Sequence, residues 1–172
     1  MNRNEILPRI NTFLGRFTQE VYQLNQAGLY DINIHSENVL IPLLRTIFGF
    51  EGLQNANAKV KNAPGVDLID YEARVSIQVT ATADAQKLSD SLTKFKAHNQ
   101  HRAFDKIIFY ILTKRQDTYR KDFTNLLPDG FDFQTERDVI DNTTLFEYIS
   151  QNILSVQKLK TIEKILADEF QN

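Results

Sequence analysis

Apolar positions recur at helical spacing from the start of the chain: Ile6, Ile10, Phe13, Leu14, Phe17, Val21 and Leu24. This pattern predicts one long helix that Gly28 stops. Pro8 fits it if it lies in the first turn. A second helix is predicted over SENVLIPLLRTIFG. Ser36 is its expected N-cap, which places Glu37 in the first turn, where the helix dipole favours an acid. Asp31 and Asn33 precede it as turn or capping residues. Pro42 falls inside this helix and predicts a kink or a displaced start. A polar loop follows from Gly49 to Gly65, closed by Pro64-Gly65.

The period then switches from helical to alternating. Val66–Asp70 and Arg74–Thr80 read as two strands, and the three residues Tyr71-Glu72-Ala73 between them require an antiparallel hairpin. In the second strand Val75, Ile77 and Val79 point one way, and Arg74, Ser76, Gln78 and Thr80 the other. Ala83 to Asn99 reads as a helix with Leu88, Leu92 and Phe95 on its apolar face. Ile107–Leu112 (IIFYIL) is nearly all apolar, as expected of a strand buried on both faces. Phe131–Ile140 holds a strand or an extended loop. Two helices close the chain, about Thr144–Asn152 and Ser155–Phe170, the last with Leu159, Ile162, Ile165, Leu166 and Phe170 on one stripe. A helix between two strands implies a crossover. The expected fold is therefore α/β, a mixed central sheet covered by helices on both faces, with the whole of residues 1–172 in one domain.

Composition narrows the chemistry. At 172 residues, 42% hydrophobic and 24% charged, the chain is long enough to bury a real core. It has no cysteine, so it carries no disulfide framework, thiolate zinc site or cysteine nucleophile. No apolar run approaches a membrane span and the N-terminal stretch lacks the apolar core of a signal peptide, so no membrane partner is expected and the cytoplasm is the expected compartment. No phosphate-binding glycine loop is present, and His35, His98 and His101 make no metal-ligand pattern. The net charge of -2 hides an uneven distribution. Residues 1–83 sum to -1, residues 84–121 to +5 and residues 122–172 to -6. The central basic segment, with Lys94, Lys96, Arg102, Lys114 and Arg115, is a candidate contact for a nucleic-acid backbone.

Four polar positions converge under this topology. Asp67 lies on the first strand of the hairpin. Gln78 and Thr80 share one face of the second strand. Glu37 comes from the helix before the sheet, and Lys87 from the crossover helix. The pattern resembles the PD-(D/E)xK nuclease-like fold. Its core is a helix, a hairpin, a crossover helix and a further strand, and its motif is a strand Asp followed by (E/Q)-x-K. Residue by residue, Pro64 and Asp67 stand for the P-D element, Gln78 for the E/Q, and Glu37 for the helical acid. Thr80 stands where the motif has lysine, and Lys87 is the candidate replacement from the adjacent helix.

The chain is more similar still to the bacterial, defence-associated SMEK domain. The strings that carry this resemblance are Asp31-Ile32-Asn33, Ser36-Glu37, Leu40-Ile41-Pro42-Leu43, Asp67-Leu68, Ile77-Gln78-Val79-Thr80 and Ile108–Thr113. It implies a restriction-endonuclease-like core with extra N- and C-terminal helices, and hydrolysis of phosphodiester bonds in DNA. The implied cofactor is Mg²⁺ or Mn²⁺, held by Glu37, Asp67 and Gln78, with Asp67, Gln78, Thr80 and Lys87 carrying the catalysis. Such a set has less negative charge than an Asp-Glu-Lys site, so weaker metal binding is expected. The alternative is a catalytically silent nuclease-like fold that serves as an interaction module for an NTPase or another defence module. The stripe of the closing helix would then be available to pair with a second copy.

Overall fold

In the computed structural model, which describes residues 1–58 and 65–171, the first amphipathic run forms α1, Arg3–Gln26. Asn2 caps it by accepting from the Glu5 N–H at 3.1 Å. Pro8 lies past the first turn, and the helix runs through it because the carbonyl it leaves free belongs to Asn4, which is exposed to water.

The second helix, α2, spans Asp31–Phe48 and so begins earlier than its sequence suggested. Ser36 is not its N-cap. It is buried one turn in, where its hydroxyl donates to the Ile32 carbonyl at 2.6 Å. Asn33 is helical too, and exchanges two side-chain hydrogen bonds with Asn25, at 3.0 and 3.2 Å, that tie α2 to α1. These anchors override the turn character of Asp-Ile-Asn. Asp31 supplies the acid of the first turn in place of Glu37. Pro42 also sits inside the helix, and the carbonyl it frees is that of exposed Asn38. Gly49, at φ 74°, ends α2 in the left-handed conformation.

Among its described residues the expected loop contains a short strand, β1 (Gln54–Asn55), and a 3-10 turn, Ala56–Ala58. Pro64 lies outside the described residues. The hairpin forms as expected, from β2 (Leu68–Asp70) and β3 (Val75–Thr80). Its turn is held by the buried Asp70. One carboxylate oxygen accepts the Glu72 and Ala73 N–H groups at 3.0 Å each, and the other accepts from Gly52 N–H at 3.1 Å. The crossover helix is α3 (Ala85–Ala97), capped by Asp84, whose Oδ1 accepts from Lys87 N–H at 2.8 Å. It leads to β4 (Lys106–Ile111), which pairs parallel with β3.

The uncertain stretch before the closing helices resolves into one helical turn, α4 (Thr135–Asp138), and a short strand, β5 (Val139–Asp141), parallel to β4. Among the described residues the sheet therefore has five strands in the order β1-β2-β3-β4-β5, antiparallel at one side and parallel at the other. The last two helices are α5 (Asn142–Asn152) and α6 (Val156–Phe170). Asp141 and Thr144 form a reciprocal capping box at the start of α5. Among the described residues, no helix is long and apolar enough to cross a membrane.

Both faces of the sheet are buried. Val75, Ile77 and Val79 share one face with Leu68, Ile108 and Tyr110, beneath α1, α2, α5 and α6. Ile69, Ile107, Phe109 and Ile111 face the other way, against Leu88, Leu92 and Phe95 of α3 and against Phe123 and Leu127. The α6 stripe is part of the first core. Leu159, Ile162, Leu166 and Phe170 are buried, and Phe170 stacks on Phe17 with ring centres 4.7 Å apart. The stripe expected to be available for a second copy is thus already used inside the chain.

Candidate functional site

The β2–β3 ladder begins at Leu68, opposite Ile77. Asp67 is therefore the last residue before the ladder, and its position follows from what β3 still needs. The Val79 N–H projects beyond the end of β2, and Asp67 supplies its partner, with Oδ2 accepting at 2.8 Å. The Asp67 N–H donates to the Ile77 carbonyl at 3.0 Å. These two bonds fix the carboxylate at the carboxyl end of β3. The chain enters this position over α3. Gly65, at φ 72°, packs so closely that an added Cβ would lie 3.3 Å from Phe95 N and from the Ser91 carbonyl, and 3.4 Å from Lys94 Cβ. Lys87, Ser91 and Lys94 occupy one side of α3 by helical spacing, so this side of the helix carries the segment that leads to Asp67.

Glu37 reaches the same place from α2. It is the seventh residue of that helix, only 9% exposed, and Asn55 Nδ2 donates to its Oε1 at 3.2 Å. Burial pushes the Glu37 carboxyl from 4.5 to about 7, the nearby Asp67 charge pushes in the same direction, and the Asn55 hydrogen bond opposes both. Burial also raises Asp67, against the Val79 hydrogen bond and the positive charge of Lys87. The fold thus brings two carboxylates into one half-dry place, with Lys87 near enough for its charge to act on one of them. Gln78 is half-buried on β3, and its amide makes no hydrogen bond with another described residue.

The remaining expected residues are distributed differently. Thr80 is buried, and its hydroxyl oxygen accepts from Thr82 N–H at 3.1 Å, which commits it to the turn after β3. Lys94 and Lys96 are exposed on α3, and Lys114 is exposed just after β4. Arg102 is exposed in the turn before β4, at the end of the sheet away from Asp67; its carbonyl accepts from Arg74 at 3.0 Å. Arg115 is half-buried in structural bonds. Its N–H donates to Asp141 at 2.9 Å, one guanidinium nitrogen donates to the Thr135 carbonyl at 3.2 Å, and the guanidinium lies 5.4 Å from the centre of the Tyr119 ring. Lys87 and Lys94 flank the approach to Asp67, and the other basic residues spread away from it.

The profile of the SMEK domain matches residues 9–150. The chain belongs to the SMEK domain family. No curated protein and no solved structure matches it. The SMEK match takes in both carboxylates, the hairpin, α3, β4 and β5, but stops before α6. That closing helix still completes the first core.

Among the described residues no group of three or more acidic or histidine side chains converges as a metal cage. Two carboxylates do converge, and each has one oxygen already held: Glu37 Oε1 by Asn55 and Asp67 Oδ2 by Val79. Among the described residues, the other two oxygens, Glu37 Oε2 and Asp67 Oδ1, accept no hydrogen bond and are the ones open to a ligand. All are hard oxygen donors, beside a neutral amide in Gln78. A small cation that retains several waters fits such a set, because it needs only one or two carboxylates from the protein. Its charge would also offset both causes of the high Glu37 pKa, burial first and the Asp67 charge second. Asn55 is the residue that sequence reasoning missed. It sits in a polar loop with no periodicity, and its role depends on the pairing of β1 with β2.

Proposed function

We propose that this SMEK domain hydrolyses phosphodiester bonds in DNA with the help of Mg²⁺ or Mn²⁺, on a restriction-endonuclease-like PD-(D/E)xK core. The observation that carries the reading is the pairing of buried Glu37 with half-buried Asp67 at the end of β3, with the charge of Lys87 beside it. Burial raises the pKa of both carboxyls, and the Asp67 charge adds to the rise at Glu37, so keeping them ionised in a poorly solvated place is costly to the fold. Such an arrangement suits a functional site better than a structural one. The order of helix, hairpin, crossover helix and parallel strand supports the same reading.

In this reading Asp67 and Glu37 hold the cation, and Gln78 offers a neutral oxygen to it. The bound cation supplies a water ionised near neutral pH and charge neutralisation at the scissile phosphate. Lys87 supplies the positive charge that the motif places two residues after the Gln, and so stabilises the phosphate oxygens as charge builds on them. Thr80 holds the turn that presents α3. Lys94, Lys96 and Lys114 contact the DNA backbone in a salt-dependent way. The test is cleavage of a supercoiled plasmid in Mn²⁺. Asp67→Ala and Lys87→Ala should each cut at least about 100-fold more slowly than wild type. An Asp67→Ala protein that cuts at the wild-type rate overturns the proposal.

A second reading is favoured by a different observation. Tyr22, Leu29, Tyr30 and Ile34 are 52–63% exposed around the turn between α1 and α2. A group of large apolar side chains of this kind marks a protein-interaction surface. In that reading the domain is catalytically silent and recruits a partner protein. Wild-type protein without cleavage or Mn²⁺ binding, whose partner is lost on Tyr30→Ser with Ile34→Ser, would establish it.

A further inference from the structure

We infer that Asn55 is a positioning residue for the cation site: its amide fixes one oxygen of Glu37 and leaves the other to bind. The inference rests on the cation-binding reading of Glu37 and Asp67.

A single short segment touches both acidic residues. Asn55 stands opposite Leu68 in the β1–β2 ladder, one residue from Asp67. The next residue, Ala56, donates its N–H to the Asp67 carbonyl at 2.8 Å. The Asn55 side chain turns to Glu37, with Nδ2 at 3.2 Å from Oε1. The amide has only one orientation that satisfies both of its ends. Asn55 Oδ1 accepts from Asn57 N–H at 2.9 Å, which an NH₂ group cannot do, so the NH₂ end faces Glu37. The strand pairing and this local turn hold the donor in place before any ligand arrives.

Glu37 needs such a partner. Its carboxylate stands on three rotatable bonds and reaches Asp67 from a different element. A neutral donor fixes it without adding a third negative charge, and it favours the ionised form that a cation requires. Hydrogen bonds of this kind to a metal-binding carboxylate typically change metal affinity by about 10–100-fold.

The experiment measures Mn²⁺ affinity from the free-ion electron paramagnetic resonance signal of the full chain. It uses wild type, Asn55→Ala, Asn55→Ser, Glu37→Gln and the Asn55→Ser/Glu37→Gln double variant. Serine keeps an acceptor for the Asn57 N–H, and so keeps the turn, but it is too short to reach Glu37. Asn55→Ala and Asn55→Ser should each weaken Mn²⁺ about tenfold, with the melting temperature of Asn55→Ser close to wild type. In the Glu37→Gln background, adding Asn55→Ser should change affinity less than twofold, because its target carboxylate is already gone. Wild-type affinity in Asn55→Ser overturns the inference, as does a full tenfold loss that persists without the Glu37 carboxylate. A wild-type chain that binds no Mn²⁺ instead overturns the cation reading itself, so the two failures are distinct.

Discussion

Replacing Glu37 by Gln should stabilise the protein above neutral pH. The carboxyl is pushed from 4.5 to about 7, first by burial and then by Asp67. A raised acid pKa means that the folded state holds its proton more tightly than the unfolded state does. Between pH 4.5 and about 7 the unfolded chain has released this proton and the folded chain has not. Stability is therefore lost as pH rises through that window, and the loss is complete above it. At about 1.36 kcal/mol per pH unit the full effect is ~3 kcal/mol. Water reaching the half-buried Asp67 and Gln78 screens part of it, which leaves ~2 kcal/mol. Glutamine keeps the shape and an oxygen to accept from Asn55, and removes only the charge. The assay is urea denaturation at pH 5 and pH 8 without divalent cations. The Gln variant should exceed wild type by less than about 1 kcal/mol at pH 5 and by about 1–3 kcal/mol at pH 8. A variant that is less stable than wild type at pH 8 refutes the reasoning, because the carboxylate would then be stabilised by its surroundings.

Three other outcomes follow from the packing. Gly65→Ala meets both a positive φ and a Cβ 3.3 Å from the α3 backbone, so it should cost roughly 1–3 kcal/mol and lower Mn²⁺ affinity by displacing Asp67, read by thermal melting and titration. Asp70→Ala leaves two N–H groups of the hairpin turn, and that of Gly52 before β1, without their acceptor and should cost ~2–4 kcal/mol in urea denaturation, with Asp70→Asn recovering part of it. Tyr110→Phe removes the buried hydroxyl that donates to Asn142 at 2.5 Å, and should cost ~1–2 kcal/mol without changing Mn²⁺ affinity.

The strands were the legible part of the chain. The alternation of Val75, Ile77 and Val79 and the apolar run after Lys106 each have a single low-energy reading, since a sheet covered on both faces demands those patterns. The helical spacing of Leu88, Leu92 and Phe95 between two strands implied the crossover, and the parallel pairing of β3 with β4 agrees with it. Helix ends were less legible. Asp31 to Ser36 carries turn residues, and it is the tertiary bonds of Asn33 to Asn25, with the burial of Ser36, that make it helix. Strand β1 left no trace, because two polar residues have no periodicity and exist as a strand only through Leu68 and Ile69. The site was legible in part for the same reason. Asp67 and Glu37 stand out by motif, whereas Asn55 and the fixed orientation of Asp67 depend on hydrogen bonds formed only after the sheet closes. The basic segment misled in one respect: a +5 sum in sequence becomes two lysines beside the site and several charges far from it or buried in structural bonds.

Whether Glu37 and Asp67 hold one divalent cation between them is read from crystals grown in MnCl₂ and measured at the manganese absorption edge. The predicted result is one anomalous peak at about 2.0–2.6 Å from both Glu37 Oε2 and Asp67 Oδ1, absent from Asp67→Ala crystals grown in the same way. A wild-type map with no peak between the two carboxylates would contradict the account.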